Sequence, residues 1–300
     1  MSRICRLFGI TRQSYYQHNW EIESLETVHL LVLKEVVRLR EIHPRMGTRK
    51  LCELLEPMML EHSIKMGRDA LYDLLAANSL LVRKRKRSIK TTNSHHWLRK
   101  YPNLIRDFSP TSINQLWVSD ITYWKIFSQK YLYISLITDA YSRKIIGYHV
   151  AETMEAIESV KALQIAMSSL NKTNYKTLIH HSDRGMQYCS GKYVKLLQDY
   201  GIKISMTENG DPLENAIAER VNGILKEEYL NHYKIESIKE AQDYLSKAVE
   251  IYNNMRPHMS IGNFTPSKVH NNHQIKPKRL WKNYFNKINN FDLNSNNSIH

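Results

Sequence analysis

Cysteine is scarce. The 300-residue chain has three, Cys5, Cys52 and Cys189, scattered and without CxxC spacing. An odd, unpaired set argues against a disulfide framework and against a cysteine-based zinc site, and it points to a reducing compartment. Long apolar runs are missing as well. No stretch approaches the ~20 residues that span a bilayer, and the N-terminus lacks a signal-peptide pattern, so a cytoplasmic location without membrane partners is expected. The chain has no HExxH pair, no GxSxG elbow and no Walker-type loop, which removes the commonest zinc-protease, serine-hydrolase and nucleotide-triphosphatase readings.

Negative charge is short overall, and the shortage is uneven. The formal net charge is +14, with 19 Lys/Arg against 10 Asp/Glu in residues 1–100, 14 against 14 in 101–230, and 10 against 5 in 231–300. A neutral centre between basic arms fits a polyanion partner, because Lys and Arg grip phosphates and release their counterions.

The N-terminal third has helical periodicity. RICRLFGITRQSYYQ reads as a short helix, a turn at Gly9 and a second helix that Thr11 caps, and a longer amphipathic helix follows from Leu25 to Ile42. Two short helices, GTRKLCELLE and GRDALYDLLAANSLL, carry Arg49, Lys50 and Arg68 near their starts. Such a pair suits either a plain bundle or a helix-turn-helix. Arg83, Lys84, Arg85, Lys86, Arg87 and Lys90 then crowd a segment that reads as a solvated linker able to track a phosphate backbone, ending near Pro110.

From Leu116 the pattern changes. LWVSDITYWKI, YLYISLITDAYS and KIIGYHVAET read as an antiparallel meander. A helix from Glu155 to Leu170, a strand TLIHHSD, a helix from Gly191 to Tyr200, a strand IKISM and a helix from Asn215 to Tyr229 follow. That order predicts an α/β fold with a mixed sheet flanked by helices. SIKEAQDYLSKAVEIYNNMRPH adds one more amphipathic helix, and the Asn/Lys-rich end from Asn271 reads as poorly ordered.

Three acids in three different settings stand out: Asp120 inside a strand, Asp183 ending another, and Glu219 on a helix. Carboxylates brought together from separate elements suit hard divalent cations. Each also has an ordinary reading, as a hydrogen-bonded core Asp, a turn Asp and a solubilising Glu. Asp139 rivals Asp183 by position, although it reads as a turn residue before Ser142 and Arg143. Glu208, Asp211 and Glu214 rival Glu219, although Gly and Pro suggest a mobile, solvated loop there. At 100° per residue, Glu219 shares a polar helix face with Asn215, Asn222, Gly223 and Lys226, opposite Ile217, Val221, Ile224 and Leu225. His180 and His181 read as packing or hydrogen-bonding residues.

WVSDITYW, HSDRGMQY, ENAIAERVNGILKEEY and YNNMRPHMSIGNFTP, in this order and spacing, resemble the integrase-type core of bacterial insertion-sequence transposases. The likeness is closest to the second-reading-frame product of the third insertion-sequence family, and it covers residues 43–268. HPRMGTRKL resembles the helix-turn-helix element of that family. The resemblance implies a ribonuclease-H-like, mixed five-stranded sheet with flanking helices behind an all-α helix-turn-helix region. It divides the chain into a DNA-binding region (1–80), a basic linker (81–110), a catalytic core (111–270) and a polar tail (271–300). It implies that Asp120, Asp183 and Glu219 hold two Mg²⁺ ions, with Mn²⁺ as a substitute. Water would free the 3′ end of the element, and that 3′-hydroxyl would then attack another strand, in a copy-out, paste-in route through a circular intermediate.

The implied partner is double-stranded DNA, both element ends and target, bound by a homo-multimer associated with the nucleoid. Lys226 would contact terminal DNA, and Arg256 and His258, in an exposed RPH loop, would support the site or the DNA. Glu214 stands where the family usually has Asp. The chain begins inside the helix-turn-helix-like segment, so an upstream-frame protein or a frameshift fusion is an expected partner. The rival to a transposase is a non-catalytic DNA-binding regulator of transposition, and a third reading is a general ribonuclease H with no joining step.

Overall fold

A computed structural model describes residues 2–82, 97–126, 130–170, 177–208 and 214–280. The chain divides into two compact units, Met1–Ile89 and Lys90–His300.

The first unit is helical. After α1 (Ser2–Leu7), Thr11 Oγ1 accepts a hydrogen bond from Ser14 N at 3.0 Å and starts α2 (Arg12–Ile42). The expected break before Leu25 does not occur. Residues 12–42 contain neither Gly nor Pro, so nothing interrupts the backbone ladder. Helices α3 (Thr48–Glu61) and α4 (Arg68–Ala77) complete the unit. Val32 and Val36 from α2, Leu51 and Leu55 from α3, and Leu71 and Leu75 from α4 form its core at helical spacing.

The second unit is a five-stranded mixed sheet. Strands β1 (Leu116–Lys125), β2 (Tyr131–Asp139) and β3 (Ile145–Ala151) form the expected antiparallel meander, and β4 (Ile179–Ser182) and β5 (Lys203–Met206) extend it in parallel, in the order β3-β2-β1-β4-β5. Alternation along the strands loads both faces. Trp117 and Ile137 pack with Val160 and Leu163 of α5 (Ala156–Ser168) and Leu197 of α7 (Gly191–Asp199), which follows the one-turn α6 (Met186–Cys189). Trp124, Ile134 and Leu136 pack on the other face with Val221 of α8 (Ala216–Ile224) and Leu245, Val249 and Tyr252 of α9 (Ile238–Met255). The short α10 (Pro266–Asn271) closes the series. This is the ribonuclease-H-like arrangement that the sequence implied.

Other expectations change as well. Residues 97–110 are not linker. Leu98 and Tyr101 pack on the α5–α7 core, Met206 N donates to Pro102 O at 3.2 Å, and Arg106 pairs with Glu208 at 2.6 Å. Glu208 and Glu214 are therefore not in free solvent: Glu208 N donates to Glu214 Oε2 at 2.7 Å, and Asn103 N donates to Glu208 Oε1 at 3.0 Å. The helix after Asn215 changes pitch, because a π-helical turn (Leu225–Tyr229) succeeds α8. Finally, the first part of the expected tail folds back, with Leu280 N donating to Met259 O at 3.2 Å. Residues 281–300, the rest of that tail, lie outside the described residues.

Arg256 and His258, expected in an exposed loop, are 1% and 7% exposed. Arg256 Nε and Nη2 each donate to a Glu228 carboxylate oxygen at 2.7 Å, with the guanidinium over the Tyr252 ring, and His258 Nδ1 shares a hydrogen bond with Ser260 Oγ at 2.8 Å. The apolar stripe of α9 carries the chain into the core at this point, so the arginine enters already paired.

Two substitutions test this packing. Gly147 lies where β3 meets α5, and a Cβ there would overlap the Ala162 carbonyl oxygen and sit 2.8 Å from Ala166 Cβ. Gly147→Ala should cost about 1–3 kcal/mol by overpacking, read as a lower denaturation midpoint at unchanged slope. Glu228→Ala strands a buried guanidinium and should cost about 3–5 kcal/mol in the same titration.

Candidate active site

Strand register sets up the site. In the parallel β1/β4 ladder Val118 pairs with His181, and two residues further along each chain stand Asp120 and Asp183. Neighbouring strands run about 4.8 Å apart, so Asp120, midway along β1, and Asp183, just past the end of β4, stand abreast. Period-two alternation puts Asp120 on the face of Val118, which packs against Ala218 of α8.

Helix α8 is pinned along β1 by its amides. Asn215 Nδ2 donates to Ser119 O at 2.9 Å, and Asn222 Nδ2 donates to Asp120 Oδ2 at 2.8 Å. Further on, Lys226 Nζ donates to Tyr123 O at 2.8 Å and Thr122 Oγ1 at 3.2 Å. The polar face of this helix is therefore not a solvent face: Asn215 and Asn222 are buried against the strand, with Glu219 exposed between them. The sequence showed these residues on one face. Their role as clamps on β1 needed the packing.

Each Asp is held in one rotamer. Asp120 Oδ1 accepts from Ile121 N at 2.9 Å, and Asp183 Oδ1 accepts from Gly185 N at 3.0 Å in a turn of the kind Asp favours. A Cβ on Gly185 would stand 2.9 Å from that same Oδ1, so glycine is what lets the carboxylate lie across the turn. Gly185 carries no motif of its own beyond HSDRG, and periodicity does not single it out.

Behind β1, on the opposite face, Ser119 Oγ and Tyr193 OH meet His180 Nε2 at 2.8 and 2.9 Å. Burial pushes the imidazole down to about 3, so His180 is neutral and structural. Asp139 is a turn residue, completely buried, accepting from Asn114 N, Ser142 N and Ser142 Oγ at 2.7 Å each. Of the helix rivals, Glu208 and Glu214 are bonded to each other, and Asp211 lies outside the described residues.

The electrostatics join the three acids. Burial raises the Asp120 carboxyl to about 7, the nearby Asp183 and Glu219 charges add to the rise, and the bonds from Asn222 and Ile121 oppose it. Among the described residues no three His, Cys, Asp or Glu side chains are drawn together closely enough to hold one ion. The donors still fit a hard cation in kind, being all carboxylate oxygen, with a mutual repulsion that a cation relieves. Glu219, exposed on α8, is the member free to close the set.

Of the expected DNA contacts, Arg49 is exposed and Lys50 half-buried at the start of α3, and Arg68 is exposed and bonded to Asp69 at 2.8 Å. Arg83, Lys84, Arg85, Lys86, Arg87 and Lys90 lie outside the described residues.

Comparison with known proteins places the chain in a family. Two family models, each described as an integrase core domain, match residues 110–212 and 200–266. The chain is 36% identical over 274 residues to a 31 kDa protein of insertion element IS600 from Shigella sonnei, covering 88% of this chain and 96% of that one. It is 29% identical to the transposase of IS629 from Shigella sonnei, covering 79% of this chain and 77% of that one. With a putative transposase of IS150 from Escherichia coli K12 it shares 34% identity, covering 57% and 59%. A structure of the HTLV-2 integrase catalytic core domain in complex with magnesium is similar at 21% identity and a TM-score of 0.43, covering 53% of this chain and 97% of that one. The chain belongs to the bacterial insertion-sequence transposases that carry an integrase-type core.

Proposed function

We propose that the core cuts and joins DNA by metal-dependent in-line phosphoryl transfer, first freeing a 3′ end of the element and then transferring it to a second strand. One observation carries this reading: Asp120 and Asp183 stand side by side on parallel strands, under a helix bearing Glu219, in a chain of this family. Two Mg²⁺ ions, with Mn²⁺ as substitute, would be held by these three carboxylates and would supply neutralisation of charge at the phosphate and activation of the attacking oxygen. Asn222 and the Ile121 amide hold Asp120, and Gly185 holds Asp183, so two of the three ligands are fixed before DNA arrives.

Lys226 lies within electrostatic reach of Asp120 and is half-buried, its pKa lowered by burial. It contacts terminal DNA by exchanging Tyr123 O for a phosphate oxygen. Arg49, Lys50, Arg68 and the basic run from Arg83 to Lys90 grip element ends, on the charge argument. The working form is a homo-multimer on DNA in the cytoplasm, in association with the nucleoid, with an upstream-frame protein or fusion as a further partner.

An oligonucleotide joining assay with Mg²⁺, Mn²⁺ or EDTA tests this. Wild type should give joined product only with metal, and Asp120→Asn, Asp183→Asn and Glu219→Gln should each reduce it to background while end binding persists. End binding without joining by wild type, alone and with the upstream-frame protein, would favour a regulator. Gly185→Ala and Asn222→Ala, which disturb the ligands without removing them, should lower the joining rate roughly 10- to 100-fold.

A further inference from the structure

The first half of α2 buries nothing. Val32, Val36 and Leu39 of this helix sit in the core of the first unit, whereas every residue from Arg12 to Thr27 is exposed or half-buried. Tyr16, Trp20 and Leu30 are 51%, 79% and 67% exposed. At about 100° per residue, Arg12, Tyr16, Trp20, Glu23 and Leu30 fall on one stripe, directly opposite the Val32, Val36 and Leu39 stripe. The stripe is thus turned away from the core of its own unit, and large apolar side chains grouped in water in this way mark an interaction surface.

Charge along this stretch is sorted by sign. Residues 1–20 carry three Arg and no Asp or Glu, and residues 21–33 carry three Glu and no Lys or Arg. Arg12 and Glu23 share the stripe, about 16 Å apart along the axis, and neither makes an ion pair among the described residues. A stripe that is basic at one end, aromatic in the middle and acidic at the other is complementary to itself turned end for end. Parallel pairing would set Arg on Arg and Glu on Glu, which disfavours it. The three glutamates also repel phosphate, which removes DNA as the occupant of this face.

We propose that this stripe pairs antiparallel with the same stripe of a second copy of the chain, about a dyad between Gln17 and His18. Arg12 of each copy then stands opposite Glu23 of the other, with Tyr16 opposite Asn19 and Trp20 opposite Tyr15, as a two-fold interface requires. Tyr15 already lies edge-on to Tyr16, their ring centroids 5.6 Å apart, so the centre of the contact is aromatic on both sides. At about 150–250 Å² each, the Tyr16 and Trp20 rings of two copies bury about 600–1,000 Å². With Tyr15 and the flanking ion pairs the contact reaches the low end of the specific range, about 1,200 Å², so the pair is weak and concentration-dependent. The pairing uses residues of the first unit alone and needs neither DNA nor the acids. Its role in joining copies on DNA rests on the transposase reading.

Sedimentation velocity on the whole chain without DNA, over a concentration series, tests this. Arg12, Trp20 and Glu23 are all exposed, and an acid in place of Arg12 falls in the first turn of α2, where helices favour it, so the variants keep the fold. Wild type should associate as concentration rises. Trp20→Glu should weaken that association on the order of 30-fold, Arg12→Glu and Glu23→Arg should each weaken it roughly three- to tenfold, and the double reversal should restore it. A wild type whose mass equals that of Trp20→Glu at every concentration overturns the proposal, as does association that both single reversals leave intact or that the double reversal fails to restore. Association that appears only on adding the upstream-frame protein overturns it in favour of that partner. Joining measured in parallel separates the two readings: variant-sensitive association without joining keeps the pairing and removes the chemistry, whereas joining without variant-sensitive association keeps the chemistry and removes the pairing.

Discussion

The parallel pairing of β1 with β4 is the contact on which the rest of the candidate site depends. Strand β2 meets β1 antiparallel, and the carboxylate that ends it, Asp139, pairs with Trp117, three residues before Asp120 and on the other face of the sheet. In β2 the residue beside Asp120 is Leu136, whereas β4, reached through the crossover helix α5 as a parallel neighbour requires, brings Asp183 alongside. The Val118–His181 register then matters to the residue, because a shift of one would turn Asp183 to the α7 face. The short β4 has little ladder of its own. Its register is held by burial of all four residues and by the bonds of His180 to Ser119 and of His181 Nδ1 to Ser205 Oγ at 2.8 Å.

Placing a carboxylate on a half-buried strand is expensive, and the amide stripe of α8 is how the fold meets that cost. Asn222 donates to Asp120 without adding charge, so it steadies the side chain while leaving the site anionic. A lysine at the same place would stabilise the carboxylate more strongly and would fill the position a cation needs. The actual lysine, Lys226, lies further along β1 on a main-chain oxygen. The π turn begins between the two, at Leu225, and gives the lysine its place over Thr122 and Tyr123. Single π turns of this kind recur near functional sites.

Much of this was legible in the sequence because the strands and helices of the core have clean periods. The meander, the crossover helix, the two parallel strands and the face shared by Asn215, Glu219 and Asn222 all follow from patterns of two or 3.6. Other parts were not legible, for physical reasons. Residues 97–110 have no period and look like linker, yet they are held by backbone amides reaching Glu208 and Ser205, more than 100 positions away. Gly185 is fixed by space beside one oxygen atom, which leaves no trace in composition. The RPH segment reads as exposed because Arg, Pro and His usually are, and Glu228, the partner that makes burial of Arg256 tolerable, lies 28 residues upstream.

That misread arginine shows how the last long helix serves the site from a distance. Near the end of α9, Asn253 both accepts from Ile145 N and donates to Ile145 O, each at 2.9 Å, which ties the helix to the head of β3. Tyr252 OH donates to Arg143 O at 3.0 Å, which fixes the turn between β2 and β3. Arg256 grips Glu228, two residues beyond Lys226, and so anchors the π turn. Within five residues, α9 restrains the β2–β3 turn and the extension of α8, the two segments that flank β1 on its α8 face. The geometry of the acids thus depends on groups outside the site, and a substitution in the RPH segment is expected to reach Lys226 and Arg143 through this brace.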